Sequence, residues 1–230
     1  MRLLLFDIDG TLVDALGAGK AALGRAMLRV YGETGPIESF EFHGKTDPAI
    51  VRGLLRAAGW SDADIEGGFE ATWSAYLEAL DDELEQRDGS VKTFPGVEPL
   101  LRAVEADARF APGLVTGNME SGASLKLGAA GLDRRFRYGA FGSDSETRDD
   151  LPPIALDRAE RAYGQSFDLG AAVIVGDTPD DIRCARANGA RVLAVSTGRH
   201  TVQELREHGP DAVFENLSDT PDVLRMLTDE

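Results

Sequence analysis

Cysteine is almost absent from this chain of 230 residues, and Cys184, standing alone, has no partner for an intramolecular disulfide. Long hydrophobic runs are missing as well. The first, Leu3-Leu4-Leu5-Phe6, is only a few residues long and leads into two acids, unlike a secretory leader, and no later run approaches the length of a membrane span. Cations are in short supply: 24 Lys and Arg face 40 Asp and Glu, for a formal charge of −16. The acids are spread along the chain rather than gathered in a tail, and such a surface repels nucleic acid and anionic membranes. His43, His200 and His208 have no mutual metal-ligand spacing, so zinc is not expected. No repeat or low-complexity tract is visible. These shortages lead to the expectation of a soluble, cytoplasmic protein that binds neither nucleic acid nor membrane.

Apolar residues make up 43% of the chain, enough for a large domain or for a core domain with a smaller insert. Strand-like runs at Arg2 to Phe6, Gly113 to Val115, Ala171 to Val175, Arg191 to Val195 and Ala212 to Phe214 alternate with helical patterns. That alternation predicts an α/β fold with a parallel sheet. Roughly a hundred residues without a convincing strand separate the first two runs, too many for an ordinary connection, and predict an inserted helical domain. Within it, Leu16, Leu23, Met27 and Val30 predict a helix stopped near Gly32. Asp47-Pro48 predicts another helix, capped by the aspartate. Ser61 opens the longest, running through Ile65, Phe69, Trp73, Tyr76, Leu77, Leu80 and Leu84. The turn-rich stretch from Asp88 to Gly96 reads as the return, which puts the insert at residues 15–94 and the core at 1–14 and 95–230.

Asp7 and Asp9, in Phe6-Asp7-Ile8-Asp9-Gly10-Thr11, follow the first strand. Period-two geometry turns both side chains to the same side of the chain, and the carboxyl end of a buried strand in an open α/β sheet faces the ligand crevice. Two crowded carboxylates repel, so a divalent cation or a shared proton is needed to hold them there. An ordinary turn is the alternative reading; a calcium loop does not fit, because Leu12 and Val13 follow where oxygen ligands are required. Thr116-Gly117-Asn118 ends the second strand, where a hydroxyl with small, exposed amides can bind a phosphoryl oxygen or simply make a turn. In Val175-Gly176-Asp177-Thr178-Pro179-Asp180-Asp181, Thr178 can cap the next helix and Asp180 and Asp181 complement its dipole. Capping leaves Asp177 at the strand tip unexplained.

With these motifs in this order, the chain resembles the haloacid dehalogenase superfamily, and within it the phosphatases of the phosphoglycolate phosphatase type. The resemblance implies a Rossmann-like core with a helical cap and a Mg²⁺-dependent phosphatase acting on a small phosphorylated metabolite. It makes Asp7 the nucleophile and Asp9 the general acid and base. Thr116, Gly117 and Asn118 would bind the phosphoryl group, and Asp7, Asp9, Asp177 and Asp181 would form the metal site. These enzymes usually carry a lysine before the helix that precedes the last Gly-Asp motif. Thr147 to Leu156 contains none, and Arg148 is the expected replacement, ahead of Lys126. Phe42-His43-Gly44-Lys45-Thr46-Asp47 is similar to a cap loop of such proteins, so Lys45 is the expected cap contact to substrate. Rival readings are a sugar-phosphate mutase, a phosphonate hydrolase using Lys45 or Lys20 as a Schiff base, and a binding protein on an inactive core.

Overall fold

The computed structural model describes residues 1–87 and 90–228. Asp88 and Gly89, at the start of the expected return segment, lie outside the described residues. The chain forms β1 (Arg2–Phe6), β2 (Val13–Asp14), α1 (Ala18–Tyr31), α2 (Asp47–Ala57), α3 (Asp62–Gly67), α4 (Phe69–Glu85), β3 (Lys92–Thr93), α5 (Val97–Glu105), β4 (Phe110–Val115) and α6 (Glu120–Ala129). There follow β5 (Gly139–Ala140), α7 (Leu151–Tyr163), β6 (Val173–Gly176), α8 (Pro179–Ala187), β7 (Arg191–Val195), α9 (Val202–Glu207), β8 (Ala212–Phe214) and α10 (Thr220–Thr228). A six-stranded sheet has the order β5-β4-β1-β6-β7-β8, and every pairing in it is parallel. It is the α/β architecture that the alternation predicts.

Side-chain alternation along β1 divides the core between the two faces. Leu4 and Phe6 join an apolar cluster with Leu101 of α5, Leu127 of α6 and Leu227 of α10, whereas Leu3 and Leu5 pack with Ala155 of α7, Ile182 of α8 and Leu205 of α9. Each fully buried leucine contributes roughly 1.5–3 kcal/mol, so the run at the start of the chain anchors both layers. The first cluster continues into α1, α2 and α4 through Leu23, Met27, Leu54 and Leu80.

Connections run from β1 through β4 to β5 in one direction and from β6 to β8 in the other. The reversal falls between β1 and β6, and ligand crevices open at such switch points. Register brings the tips level, since Phe6 pairs with both Leu114 and Val175.

Several boundaries differ from those the sequence predicts. Leu16 lies outside α1 in a left-handed conformation (φ 51°) and is exposed, because its amide bonds Asp14 Oδ1 at 2.9 Å in the turn after β2. Gly32, with φ 76°, stops α1 as expected. Thr46, not Asp47, caps α2, its hydroxyl accepting from the Ala49 amide; Asp47 is the first helical residue. The long helix from Ser61 is broken into α3 and α4 at Gly67-Gly68. A Cβ on Gly68 would press within 2.5 Å of the Tyr31 hydroxyl, which is why a residue without a side chain stands at the break. β2 and β3 form a two-stranded antiparallel ribbon that no run of apolar residues announces, and β4 begins at Phe110, earlier than Gly113.

Candidate active site

Asp7 follows β1 directly, and its amide donates to Val175 O at 2.9 Å, which ties it to the rim of β6. The chain then turns tightly: the Ile8 carbonyl accepts from the amides of Leu12 and Val13, and Gly10 supplies the positive φ of 80°. This turn delivers Thr11 Oγ1 to Asp177 Oδ1 at 3.1 Å. Cβ atoms on Gly10 or Gly198 would collide with the Asp177 carboxylate, so two glycine loops close around it. Asp177 Oδ2 is buried and among the described residues has no hydrogen-bond partner.

Across the switch point, Thr178 and Asp181 form a capping box at the start of α8. Asp181 Oδ2 accepts from the Thr178 amide at 3.0 Å and from its hydroxyl at 2.7 Å, while Oδ1 accepts from Arg148 Nη2 at 2.5 Å. The same Nη2 lies 3.2 Å from Asp7 Oδ2, and Arg148 is buried. Asp7, Asp177 and Asp181 each present an oxygen within 4.8 Å of the others, and all three are buried. Burial pushes the Asp7 carboxyl up to about 6, against the opposing pull of Arg148 and with further help from Asp181 and Asp9. Asp177 is raised well above the carboxylate range by burial first and then by Asp181 and Asp7. Burial works against the charge on Arg148, yet Asp181 and Asp7 hold its proton more tightly than usual.

Thr116 closes β4. Asn118 turns back over it, donating from Nδ2 to Thr116 Oγ1 at 2.8 Å and to Asp9 Oδ2 at 2.7 Å. Asp9 therefore stands with Asn118 and Lys126, whose Nζ lies 2.6 Å from the same Oδ2, while Asp7 stands with Arg148. The loop before α2 docks on this edge: the Asp47 amide donates to Gly117 O at 2.7 Å, and Asp47 Oδ2 accepts from the Met119 amide at 2.8 Å. Thr46 Oγ1 donates to Glu146 O at 2.7 Å. Gly44 touches the start of α8 so closely that a Cβ there would meet Thr178 and Asp180. Lys45 is half-buried, and its Nζ is 3.9 Å from Asp180 Oδ2.

A cleft of about 580 Å³ gathers Asp7, Asp9, Thr116, Gly117, Asn118, Lys45, Arg148 and Asp177 along its walls. Asp181 is not part of the lining; it sits behind Arg148 and holds it. Sequence reasoning missed Asp47 as a half-buried carboxylate at the cleft, the hydroxyl of Thr11 and the grip of Lys126 on Asp9. For Lys126 a signal existed, because it lies four residues after Gly122 and three after Ala123, on the buried side of α6.

The HAD-hydrolase-like family model matches residues 150–220. Over 229 residues the chain is 30% identical to the phosphoglycolate phosphatase of Cereibacter sphaeroides, covering 97% of this chain and 98% of that one. The chain belongs to the haloacid dehalogenase-like hydrolases. Within that family it is a phosphatase of the phosphoglycolate-phosphatase-like group. Phosphoglycolate phosphatase 1 of Pseudomonas aeruginosa is 28% identical over 220 residues, 95% of this HAD chain and 78% of its relative. Among solved structures, a hydrolase from Pseudomonas syringae shares the fold with a TM-score of 0.71 at 20% identity, covering 100% of both chains. CbbY from Rhodobacter sphaeroides, solved with phosphate, aligns with a TM-score of 0.69 at 18% identity over 95% of this chain and 96% of that one.

HAD phosphatases are in general metal-dependent, and the residues of this one suit a divalent cation. Three buried carboxyls converge, burial and acidic neighbours raise the proton affinity of Asp7 and Asp177, and among the described residues one oxygen of Asp177 has no donor. Among the described residues no helix is long and apolar enough to cross a membrane.

Proposed function

We propose that this phosphatase hydrolyses a small phosphorylated metabolite in the cytoplasm with Mg²⁺ as its metal, and that phosphoglycolate is the first substrate to test. The reading rests above all on one observation: Asp7, at the tip of β1, faces both a buried guanidinium and a cluster of acids at the rim of a cleft. Asp7 is the nucleophile. Its oxygen forms a bond to phosphorus as the bond to the leaving oxygen breaks, and Asp9 gives that oxygen its proton. Water then attacks the aspartyl phosphate, Asp9 takes the water's proton, and inorganic phosphate leaves.

Arg148 does the work of the family's lysine, neutralising Asp7 and the phosphoryl oxygens, with Asp181 holding it in place. The Thr116 hydroxyl and the amides of Gly117 and Asn118 receive the remaining phosphoryl oxygens. Asp7, Asp177 and Asp181 would hold Mg²⁺, with Asp9 at the edge of the site; when bound, the ion supplies positive charge that lets an anionic nucleophile approach an anionic phosphate. The helices between Ala18 and Glu85 act as a cap, residues 15–94, over a core of 1–14 and 95–230, and Lys45 on the docked loop reads the leaving group.

Phosphate release from a panel of phosphorylated metabolites, with Mg²⁺ or EDTA and with Asp7→Asn as control, tests this. Turnover that disappears in EDTA and in the variant is the expected result. A folded, Mg²⁺-loaded protein that releases phosphate from no compound would sink the hydrolase reading, and conversion of one sugar phosphate into another would replace it with a mutase.

A further inference from the structure

Lysine normally carries its charge to solvent along a flexible stem. Lys126 does the opposite: it is 4% exposed, it sits on the inner side of α6, and it turns its ammonium toward the cleft. Taking an ammonium out of water is unfavourable unless hydrogen bonds and an opposite charge compensate. Both are present, since Nζ donates to Asp9 Oδ2 at 2.6 Å and to Asn118 Oδ1 at 2.5 Å. One glycine reserves space for this end and another for the Tyr76 ring. A Cβ on Gly19 of α1 would come within 3.1 Å of Nζ, and one on Gly122 of α6 within 3.1 Å of the Tyr76 ring on α4.

The arrangement around Asp9 is one-sided. Oδ2 receives both Lys126 Nζ and Asn118 Nδ2, and among the described residues no hydrogen bond reaches Oδ1, although the Asp9 side chain is 44% exposed at the cleft. A carboxylate clamped by one oxygen presents the other in a fixed direction. Positioning groups act on catalytic side chains in this way, by holding the atom that does not react.

We propose that Lys126 is a positioning residue for Asp9: it grips one carboxylate oxygen, with Asn118 as the second finger, and aims the free oxygen at the substrate's leaving group. This rests on the phosphatase reading above and assigns Lys126 a task separate from that of Arg148, which faces Asp7. If Lys126 acts through Asp9, its loss matters where the leaving group needs a proton. A contact from Lys126 to the phosphoryl group itself would matter equally for every phosphate ester.

The experiment compares kcat/KM of wild type, Lys126→Met and Lys126→Arg on phosphoglycolate, or the best alkyl phosphate of the panel, and on p-nitrophenyl phosphate, whose leaving group departs without a proton. This ratio stops at departure of the leaving group and excludes the later attack of water. Lys126→Met is expected to lose on the order of 100-fold on the alkyl ester and less than about tenfold on the aryl ester, the size of a general-acid contribution. Lys126→Arg should recover part of the alkyl activity. Equal losses on both esters, or no loss on the alkyl ester, overturn the proposal while leaving the phosphatase standing. A wild type inert to both esters overturns the phosphatase reading instead. Thermal melting checks folding, and should the Met variant fail to fold, Lys126→Gln carries the same comparison.

Discussion

At the scale of single residues, the site is governed by how few cations serve how many buried acids. Nη2 of Arg148 alone faces both Asp7 and Asp181. Replacing Arg148 with Met would leave those carboxyls buried without a counter-charge, and breaking a buried pair from one side costs about 3–5 kcal/mol. Urea denaturation in EDTA should show a loss of that order, partly recovered by added divalent metal, and an unchanged midpoint would refute the counter-charge role. Because one nitrogen makes both contacts, Arg148→Lys is expected to keep most of the stability and part of the turnover.

Asp47 gives a second test at this scale. It keeps an exposed edge in the cleft, yet the protein around it is dense enough that burial pushes its carboxyl up to about 6, against the pull of Lys126 and the Met119 amide. A carboxyl whose proton is held more tightly in the fold than in the unfolded chain favours folding when protonated. The unfolded chain ionises it near pH 4, the folded one near 6, so stability from this group falls as pH rises between those values and stays lost above them. Asp47→Asn should therefore match wild type near pH 4 and exceed it above pH 6 by on the order of 2 kcal/mol. A difference independent of pH, measured by denaturant titration across that range, would remove Asp47 as its source.

At the scale of elements, what the sequence reveals depends on length and on chemistry. Short, mostly apolar strands at β1, β6 and β7 announce themselves, and so do the acids at the tips of β1 and β6. Two-residue strands such as β2, β3 and β5 carry no periodicity to detect. The Gly67-Gly68 break is hidden because Ile65 and Tyr76 keep an apolar pattern running across it. The strand-end acids and Thr116 are legible as a candidate site, and the buried side of α6 marks Lys126 as turned inward, but its grip on Asp9 depends on how α1, α4 and α6 pack.

Docking of the loop before α2 belongs to this scale too. Gly44 has φ 76° and lies against Thr178 and Asp180 at the start of α8, while Asp47 bonds the loop after β4 and Thr46 the loop after β5. Gly44→Ala adds both a strained φ, costing roughly 1 kcal/mol or more, and a methyl group where the surfaces touch. The loop is expected to lift from α8, taking Lys45 with it. KM should rise by about tenfold with a smaller change in kcat, since uniform binding is lost rather than transition-state contacts. A fall in kcat at constant KM, in steady-state assays, would mean that the loop serves the chemistry rather than substrate capture.

Over the whole molecule, a net charge of −16 makes proximity of acids the ordinary condition, and the metal site is its extreme point. Three carboxyls within 4.8 Å destabilise the metal-free fold when ionised, and Asp7 and Asp177 respond by holding protons more tightly. Divalent metal must displace those protons, so its affinity should rise as pH passes through about 6, where Asp7 ionises in the fold. At a concentration about 100 times Kd the ion stabilises the folded state by about 2.7 kcal/mol, which for a domain of this size is roughly 5–10 °C in Tm. Melting curves with MgCl₂ and with EDTA should therefore diverge widely at pH 7.5 and little at pH 5. Asp177→Asn should shrink the divergence at the higher pH. Equal shifts at both pH values would mean that the ion binds elsewhere on the acidic surface, because free carboxyls ionise near pH 4 whereas Asp7 still carries a proton to release at pH 5.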